Sequence, residues 1–158
     1  ADPHALVMPG GESTTMRLTG NDPKSSLLPA VFDWIRSNDE RPVLGTCAGA
    51  ILLAYPEDGG KPLVDATIQR NAFGSQAQSF QSRLEAIALD REFPGVFIRA
   101  PRFVETGTDS EVTATLGEEV VGVRSKNRMA LTFHPELSSD SGFHVWLLQT
   151  AEAISAVA

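Results

Sequence analysis

The sequence predicts a three-layer α/β domain in which helices flank a mostly parallel central sheet. Strand-like apolar runs alternate with helical patterns in the first half, and several strands followed by a final helix fill the second half. The chain has 158 residues, of which 42% are hydrophobic, and we find no repeat or linker that would divide it. We therefore expect residues 1–158 to form a single domain.

The first half reads as alternating strands and helices. Its predicted elements are a strand over 6–8, a helix over 13–18, a helix over 26–37, a strand over 42–45, a helix over 48–54 and a loop over 55–61. Pro9-Gly10-Gly11 stops the first apolar run and predicts a tight turn. Ser13 or Thr14 can cap the helix that follows, and Glu12 lies near its positive end.

The second half is rich in short strand patterns with alternating apolar residues. The predicted strands cover 66–69, 78–89, 96–98, 111–116, 120–124 and 129–133. The last element is a helix, because apolar positions recur there at spacings of three and four. That face comprises Phe143, Trp146, Leu147, Thr150, Ile154 and Val157.

Composition excludes several classes of function. The net charge of -7 and the pI near 4.9 argue against binding to nucleic acid or to anionic membranes. No apolar run approaches the roughly 20 residues that span a bilayer, and the opening Ala1-Asp2-Pro3-His4 lacks the features of a signal peptide. A single cysteine forms no internal disulfide, which favours a cytoplasmic location. No Cys/His cluster has metal-ligand spacing, so we expect neither a metal nor an organic cofactor.

The most informative stretch is an apolar strand that ends in Gly45-Thr46-Cys47-Ala48-Gly49 and continues as a helix of small residues. This is the cysteine version of a nucleophile elbow. Glycines at both flanks allow strand and helix to cross closely, and the helix N-terminus favours thiolate over thiol. The N–H of Ala48 then points to where an oxyanion would form. The alternative is a buried structural cysteine between two incidental glycines.

A second stretch, the strand over 129–133, ends in His134-Pro135-Glu136. Pro135 keeps His134 in extended geometry, and a carboxylate two residues beyond an imidazole can reach back to one ring nitrogen. The alternative is a capping histidine beside a solvated glutamate. Of the other histidines, His4 lies in the frayed start, and His144 lies on or beside the packing face of the last helix, where we interpret it as structural.

A glycine loop, Pro9-Gly10-Gly11-Glu12-Ser13, follows a strand and precedes a helix. Such a turn can aim backbone N–H groups at an anion. It lacks the lysine of a phosphate-binding P-loop, so a nucleotide site is not expected. With a cysteine elbow elsewhere, its better use is to supply a second oxyanion donor from the N–H of Gly11. In isolation it would read as a plain turn with a helix cap.

Together, Pro-Gly-Gly-Glu-Ser-Thr, Gly-Thr-Cys-Ala-Gly and His-Pro-Glu resemble the motifs of class I, triad-type glutamine amidotransferases. More narrowly, the chain is similar to the glutaminase subunits of pyridoxal 5'-phosphate synthase, because it also contains Gln69-Arg70-Asn71-Ala72-Phe73-Gly74 and Phe97-Ile98-Arg99-Ala100-Pro101. The resemblance runs from about Leu6 to Leu137 and implies a flavodoxin-like fold of the class I amidotransferases.

The resemblance also implies roles for individual residues. It makes Cys47 the nucleophile, His134 the base and Glu136 the group that orients the base. The implied contacts to glutamine come from Gly11, Glu12, Ser13, Arg70, Ile98 and Arg99. A guanidinium such as that of Arg99 suits the carboxylate of an amino acid.

The implied reaction is hydrolysis of L-glutamine, with ammonia passed to a (β/α)8-barrel synthase subunit in a hetero-oligomer that makes pyridoxal 5'-phosphate. Activity without the synthase is expected to be low. The family's first βα unit has no counterpart in this sequence, and the loop over 55–63 is short for the family. Two alternatives remain open: another cysteine hydrolase on the same fold, or a non-catalytic regulatory subunit.

Overall fold

The computed structural model describes residues 2–70 and 79–157. Its strands are β1 (Leu6–Met8), β2 (Val43–Thr46), β3 (Ala66–Gln69), β4 (Phe80–Ala86), β5 (Arg91–Phe97), β6 (Arg102–Thr106), β7 (Glu111–Leu116), β8 (Glu119–Ser125) and β9 (Arg128–Leu131). Its helices are α1 (Ser13–Gly20), α2 (Leu27–Arg36), α3 (Ala48–Ala54) and α4 (Gly142–Val157), and two short 3₁₀ turns cover Ile87–Leu89 and Pro135–Leu137. No helix in these two ranges is long and apolar enough to cross a membrane.

Seven strands form the central sheet, in the order β1-β2-β9-β8-β7-β4-β5, and β3 pairs with β6 in a separate antiparallel ladder. The strands β1, β2 and β9 run parallel, whereas every pairing from β9 to β5 is antiparallel. The predicted α/β class is confirmed, and the sheet is mixed, with its parallel pairings confined to these three strands. The turns at 117–118 and 126–127 explain the difference, because parallel neighbours need a much longer crossover.

The sheet lies between two apolar layers, as a three-layer domain requires. Neighbouring residues of β2 point to opposite faces: Val43 packs in a cluster with Phe32 of α2 and Leu52 of α3. Leu44 packs on the other face in a cluster with Phe143 and with other residues of α4, β5 and β9. Helices therefore cover both faces of the parallel strands. This packing fixes where the carboxyl ends of these strands lie.

The second half departs from prediction at three strands. The strand predicted over 96–98 is the end of β5, which pairs with β4 along its whole length from Arg91 to Phe97. Pro94 and Gly95 interrupt the strand pattern in the sequence. The proline is tolerated in the structure because β5 is an edge strand. The short strand β6 was not predicted. Of the strand predicted over 78–89, residue 78 lies outside the described residues, and the described part ends at Ala86.

The parallel strands are tied to α2 by one buried cation. Arg128, at the start of β9, donates to the carbonyls of Ile35 (3.1 Å) and Leu63 (3.3 Å) and pairs with Asp39 (2.8 Å). Desolvation lowers the pKa of Arg128, and Asp39 opposes that shift. The anchored strand leads directly to the segment that contains His134.

Candidate active site

Cys47 lies at a sharp reversal between β2 and α3. Its backbone has φ 50° and ψ -107°, a conformation that few residues other than glycine adopt. Its N–H donates to the carbonyl of Leu131 (2.8 Å), and its own carbonyl accepts from the N–H of Ile51 (3.2 Å). The backbone hydrogen bonds therefore change from the strand pattern to the helix pattern at this single residue. Backbone strain of this kind is concentrated at functional sites.

The two glycines that flank Cys47 have the steric role that the sequence predicts. A Cβ on Gly49 would lie 1.9 Å from the carbonyl oxygen of Met8, and a Cβ on Gly45 would lie 2.8 Å from the carbonyl oxygen of Gly49. Backbone therefore packs on backbone where β1 ends against α3. This contact brings the loop that follows Met8 beside Cys47.

His134 reaches the site from the carboxyl end of β9. Its N–H donates to the carbonyl of Val96 (2.8 Å), and its Nδ1 hydrogen-bonds to Oε1 of Glu136 (2.6 Å). A hydrogen bond with the side chain of Cys47 raises the pKa of His134 to about 9, with a smaller contribution from Glu136 and against the effect of burial. The imidazole therefore stays protonated at neutral pH, between sulfur on one side and carboxylate on the other.

Glu136→Gln should lower the pKa of His134 from about 9 toward its ordinary 6.5, because the amide carries no charge to stabilise imidazolium. The raised pKa stabilises the folded chain fully below pH 6.5, and this contribution is lost as the pH rises through about 9, so the variant should also lose part of that stabilisation. NMR titration of the imidazole measures the shift, with Glu118→Gln as an exposed control. An unchanged titration would contradict the role of Glu136.

The glycine loop leads into α1, and the helix cap differs from the prediction. Glu12, rather than Ser13 or Thr14, is the capping residue: its carboxylate accepts from the N–H groups of Thr14 (3.0 Å) and Thr15 (2.7 Å). These bonds lower the pKa of Glu12 to about 2. A glutamate side chain can span two free N–H groups at once, which leaves the neighbouring serine available for other contacts. Gly11 has φ 149°, which favours glycine.

A cavity of about 320 Å³ joins these segments. It is lined by Gly11, Glu12, Ser13, Cys47, Ala48, Ile51, Arg70, Ile98, Arg99 and His134. Every residue predicted to contact glutamine or to hold an oxyanion therefore lies in one place, together with two of the predicted triad. Asn71-Ala72-Phe73-Gly74, from the motif that includes Arg70, lies outside the described residues.

The polar side chains of the cavity differ in whether they have ion-pair or hydrogen-bond partners. Arg70 pairs with Glu12 (2.8 Å) near the entrance, where both side chains are about half exposed. Ser13 is buried, and its hydroxyl has no hydrogen-bond partner among the residues that the structure describes. Arg99 is exposed and has φ 45°, so the chain turns sharply after Ile98, whose carbonyl lies 3.9 Å from the sulfur of Cys47. A polar ligand bound near the turn at Arg99 would supply the hydrogen bond that the hydroxyl of Ser13 lacks.

Sequence reasoning missed two neighbours of the site. Ile51 lines the cavity one helical turn beyond Cys47, a position that the spacing of four on α3 could have indicated. Gly10 packs against the imidazole of His134, a contact with no local signal in the sequence. The other two histidines do not line the cavity: His4 is exposed and His144 is half-buried on α4.

Within residues 2–70 and 79–157, no group of three histidine, cysteine, aspartate or glutamate side chains could hold a metal ion. The site consists instead of a strained cysteine, a protonated imidazole with a carboxylate partner, and a glycine loop. On a three-layer α/β fold, this arrangement is the one expected of triad-type glutamine amidotransferases.

Comparison with known proteins agrees with that class. The profile of the SNO glutamine amidotransferase family matches residues 1–153. The chain is 43% identical over 154 residues to the pyridoxal 5'-phosphate synthase subunit PdxT of Thermococcus gammatolerans, covering 93% of this chain and 76% of that protein. The PdxT of Dehalococcoides mccartyi is 42% identical over 161 residues, covering 96% of this chain and 80% of that protein.

A solved structure described as a glutamine amidotransferase superimposes with a TM-score of 0.82 at 40% sequence identity. The match covers 94% of this chain and 79% of that one. The chain belongs to the SNO glutamine amidotransferase family.

Proposed function

We propose that the chain hydrolyses L-glutamine to glutamate and ammonia and supplies the ammonia to pyridoxal 5'-phosphate synthesis. One observation carries the proposal: the elbow cysteine and His134 line one cavity whose other residues suit an amino acid. The relatives at 42–43% identity are described as subunits of pyridoxal 5'-phosphate synthase, which supports the destination of the ammonia.

In the proposed reaction, the thiolate of Cys47 attacks the side-chain amide carbon of glutamine, and a C–S bond forms. His134 gives its proton to the amide nitrogen, the C–N bond breaks, and ammonia leaves. The neutral imidazole then takes a proton from water, whose oxygen attacks the thioester carbon. The C–S bond breaks, the new carboxylic acid of glutamate loses its proton to solvent, and the Cys47 thiolate and protonated His134 are restored. Glu136 holds the imidazole in place throughout.

The oxyanion of each tetrahedral intermediate is assigned to two backbone N–H groups, those of Gly11 and Ala48. Ala48 is the first residue of α3, so its N–H lacks a partner within that helix. Gly11 lines the same cavity from the opposite loop. Two donors fixed by the backbone meet the developing charge without reorganising, which lowers the barrier.

The amino-acid end of glutamine is assigned to the polar rim of the cavity. Arg99, with Ile98 beside it, faces the α-carboxylate, for which a guanidinium fork is suited. The Glu12–Arg70 pair closes the rim on the other side. The hydroxyl of Ser13 is buried and finds no partner within 2–70 and 79–157, so a bound substrate would supply the hydrogen bond that it lacks there.

The partner is proposed to be the (β/α)8-barrel synthase subunit, in a hetero-oligomer. Ammonia released into water at neutral pH becomes ammonium and loses its nucleophilicity. Direct transfer from this cavity into the synthase would preserve it. The synthase, rather than this chain, would then bind the phosphorylated sugars.

Ammonia release from glutamine tests the function. We expect slow release by the chain alone and faster release when the synthase subunit is added, because docking completes a site whose loops are exposed in the free chain. Asparagine serves as the matched substrate, since it is one methylene shorter and should react far more slowly. Equal rates with both amides, or no release even in the complex, would contradict the proposal.

A further inference from the structure

Gly10 lies against the imidazole of His134. A Cβ built on Gly10 would be 2.4 Å from Cε1, 3.1 Å from Nδ1 and 3.4 Å from Nε2 of that ring. These are the three nearest atoms, and all belong to His134. The ring edge between its two nitrogens therefore occupies the space in which any other residue at position 10 would carry its side chain.

The backbone at position 10 does not itself require glycine. Among the described glycines, positive φ angles occur at Gly11, Gly59 and Gly117, but not at Gly10. An alanine could adopt the conformation of Gly10 without the penalty that a left-handed residue imposes. The contact with the ring is therefore the reason for a glycine here, which separates its role from that of Gly11.

The imidazole is constrained on its other sides by contacts of known length. Nδ1 bonds to Glu136 (2.6 Å), and the backbone N–H of His134 bonds to Val96 (2.8 Å). Glu136 holds Nδ1 and so fixes which nitrogen faces the sulfur, but hydrogen bonds at the two nitrogens still allow the ring to shift along the line that joins them. Contact with Gly10 removes that freedom, because the ring edge rests on backbone.

We propose that Gly10 is a positioning residue for hydrolysis: its lack of a side chain sets how far the imidazole of His134 reaches toward the sulfur of Cys47. This inference rests on the proposed function. Gly10 also precedes Gly11, the assigned oxyanion donor. One rigid loop therefore positions both the proton-transfer group and a donor to the oxyanion, and a displacement of one displaces the other.

Gly10→Ala, assayed in the complex with the synthase, tests the proposal. A misplacement of about 1 Å at a reacting group can cost on the order of 100-fold in rate. We expect kcat to fall by roughly 10- to 100-fold, with KM within about twofold of the original. The imidazole pKa should fall from about 9 toward 6.5, because the hydrogen bond to Cys47 is its largest cause. Glu118→Gln, which is exposed and does not line the cavity, should change neither quantity.

Thermal unfolding provides a readout that needs no catalysis. Gly10→Ala should lower the unfolding midpoint in the original chain but lower it much less in a His134→Ala background, where the clashing ring is absent. Equal losses in both backgrounds, or an original kcat and imidazole pKa in Gly10→Ala, would overturn the inference. If the original complex releases no ammonia, the proposed function fails, whereas the imidazole titration and the unfolding comparison still report on Gly10.

Discussion

Cys47→Ala should reduce glutamine hydrolysis by on the order of 10⁵- to 10⁶-fold, because no other group can form the acyl intermediate. Cys47 is the only cysteine in the sequence, so no neighbouring thiol can substitute. Ammonia release in the complex with the synthase measures the effect. Cys47→Ser is the informative companion, since its hydroxyl keeps the size of the side chain but is a far weaker nucleophile.

The fold should survive this change. Alanine removes one sulfur, and the backbone bonds from residue 47 to Leu131 and Ile51 do not involve the side chain. Circular dichroism and binding to the synthase should therefore match those of the original chain. Substantial turnover by a correctly folded Cys47→Ala protein would show that the nucleophile has been misassigned.

His134→Asn should lower kcat by roughly 10²- to 10⁴-fold, the usual contribution of a positioned general acid and base. Asparagine can accept and donate hydrogen bonds, but it cannot give a proton to the leaving nitrogen or take one from water. The alkylation rate of Cys47 at neutral pH should also fall, because the imidazolium that stabilises the thiolate is lost. The chain's single cysteine makes that rate straightforward to interpret.

His144→Asn is the matched control for this change. His144 is half-buried on α4 and does not line the cavity, so its replacement should leave both rates close to those of the original chain. Loss of activity in His144→Asn, with full activity in His134→Asn, would reverse the assignment of the base.

The parts of the site that local sequence determines could be predicted. Strand, Gly-x-Cys-x-Gly and small-residue helix together specify a turn, and the structure confirms β2, α3 and the close approach at Gly49. His134 and Glu136 are two residues apart, so their contact needs no knowledge of the fold. Parallel strands end at the same edge of a sheet, so a parallel arrangement predicts that these two segments meet there. The structure pairs β2 with β9 in parallel.

Other features depend on contacts between distant segments and could not be predicted. The edge position of β5 makes Pro94 acceptable, and an edge strand is defined only by its neighbours in the complete sheet. The predicted strand began at Met129 and omitted Arg128, whose guanidinium donates to carbonyls of two other segments in the interior. The contact between Gly10 and the imidazole joins residues 124 positions apart in a way that no local pattern encodes.

The most direct test of the triad is to trap the acyl intermediate. The complex with the synthase would be mixed with glutamine, quenched in acid within one turnover, digested and analysed by mass spectrometry. We expect a γ-glutamyl thioester on the peptide that contains Cys47, and a larger fraction of it in His134→Asn if thioester hydrolysis slows more than its formation. Ammonia release at the original rate with no adduct on that peptide at any quench time would contradict a mechanism through Cys47.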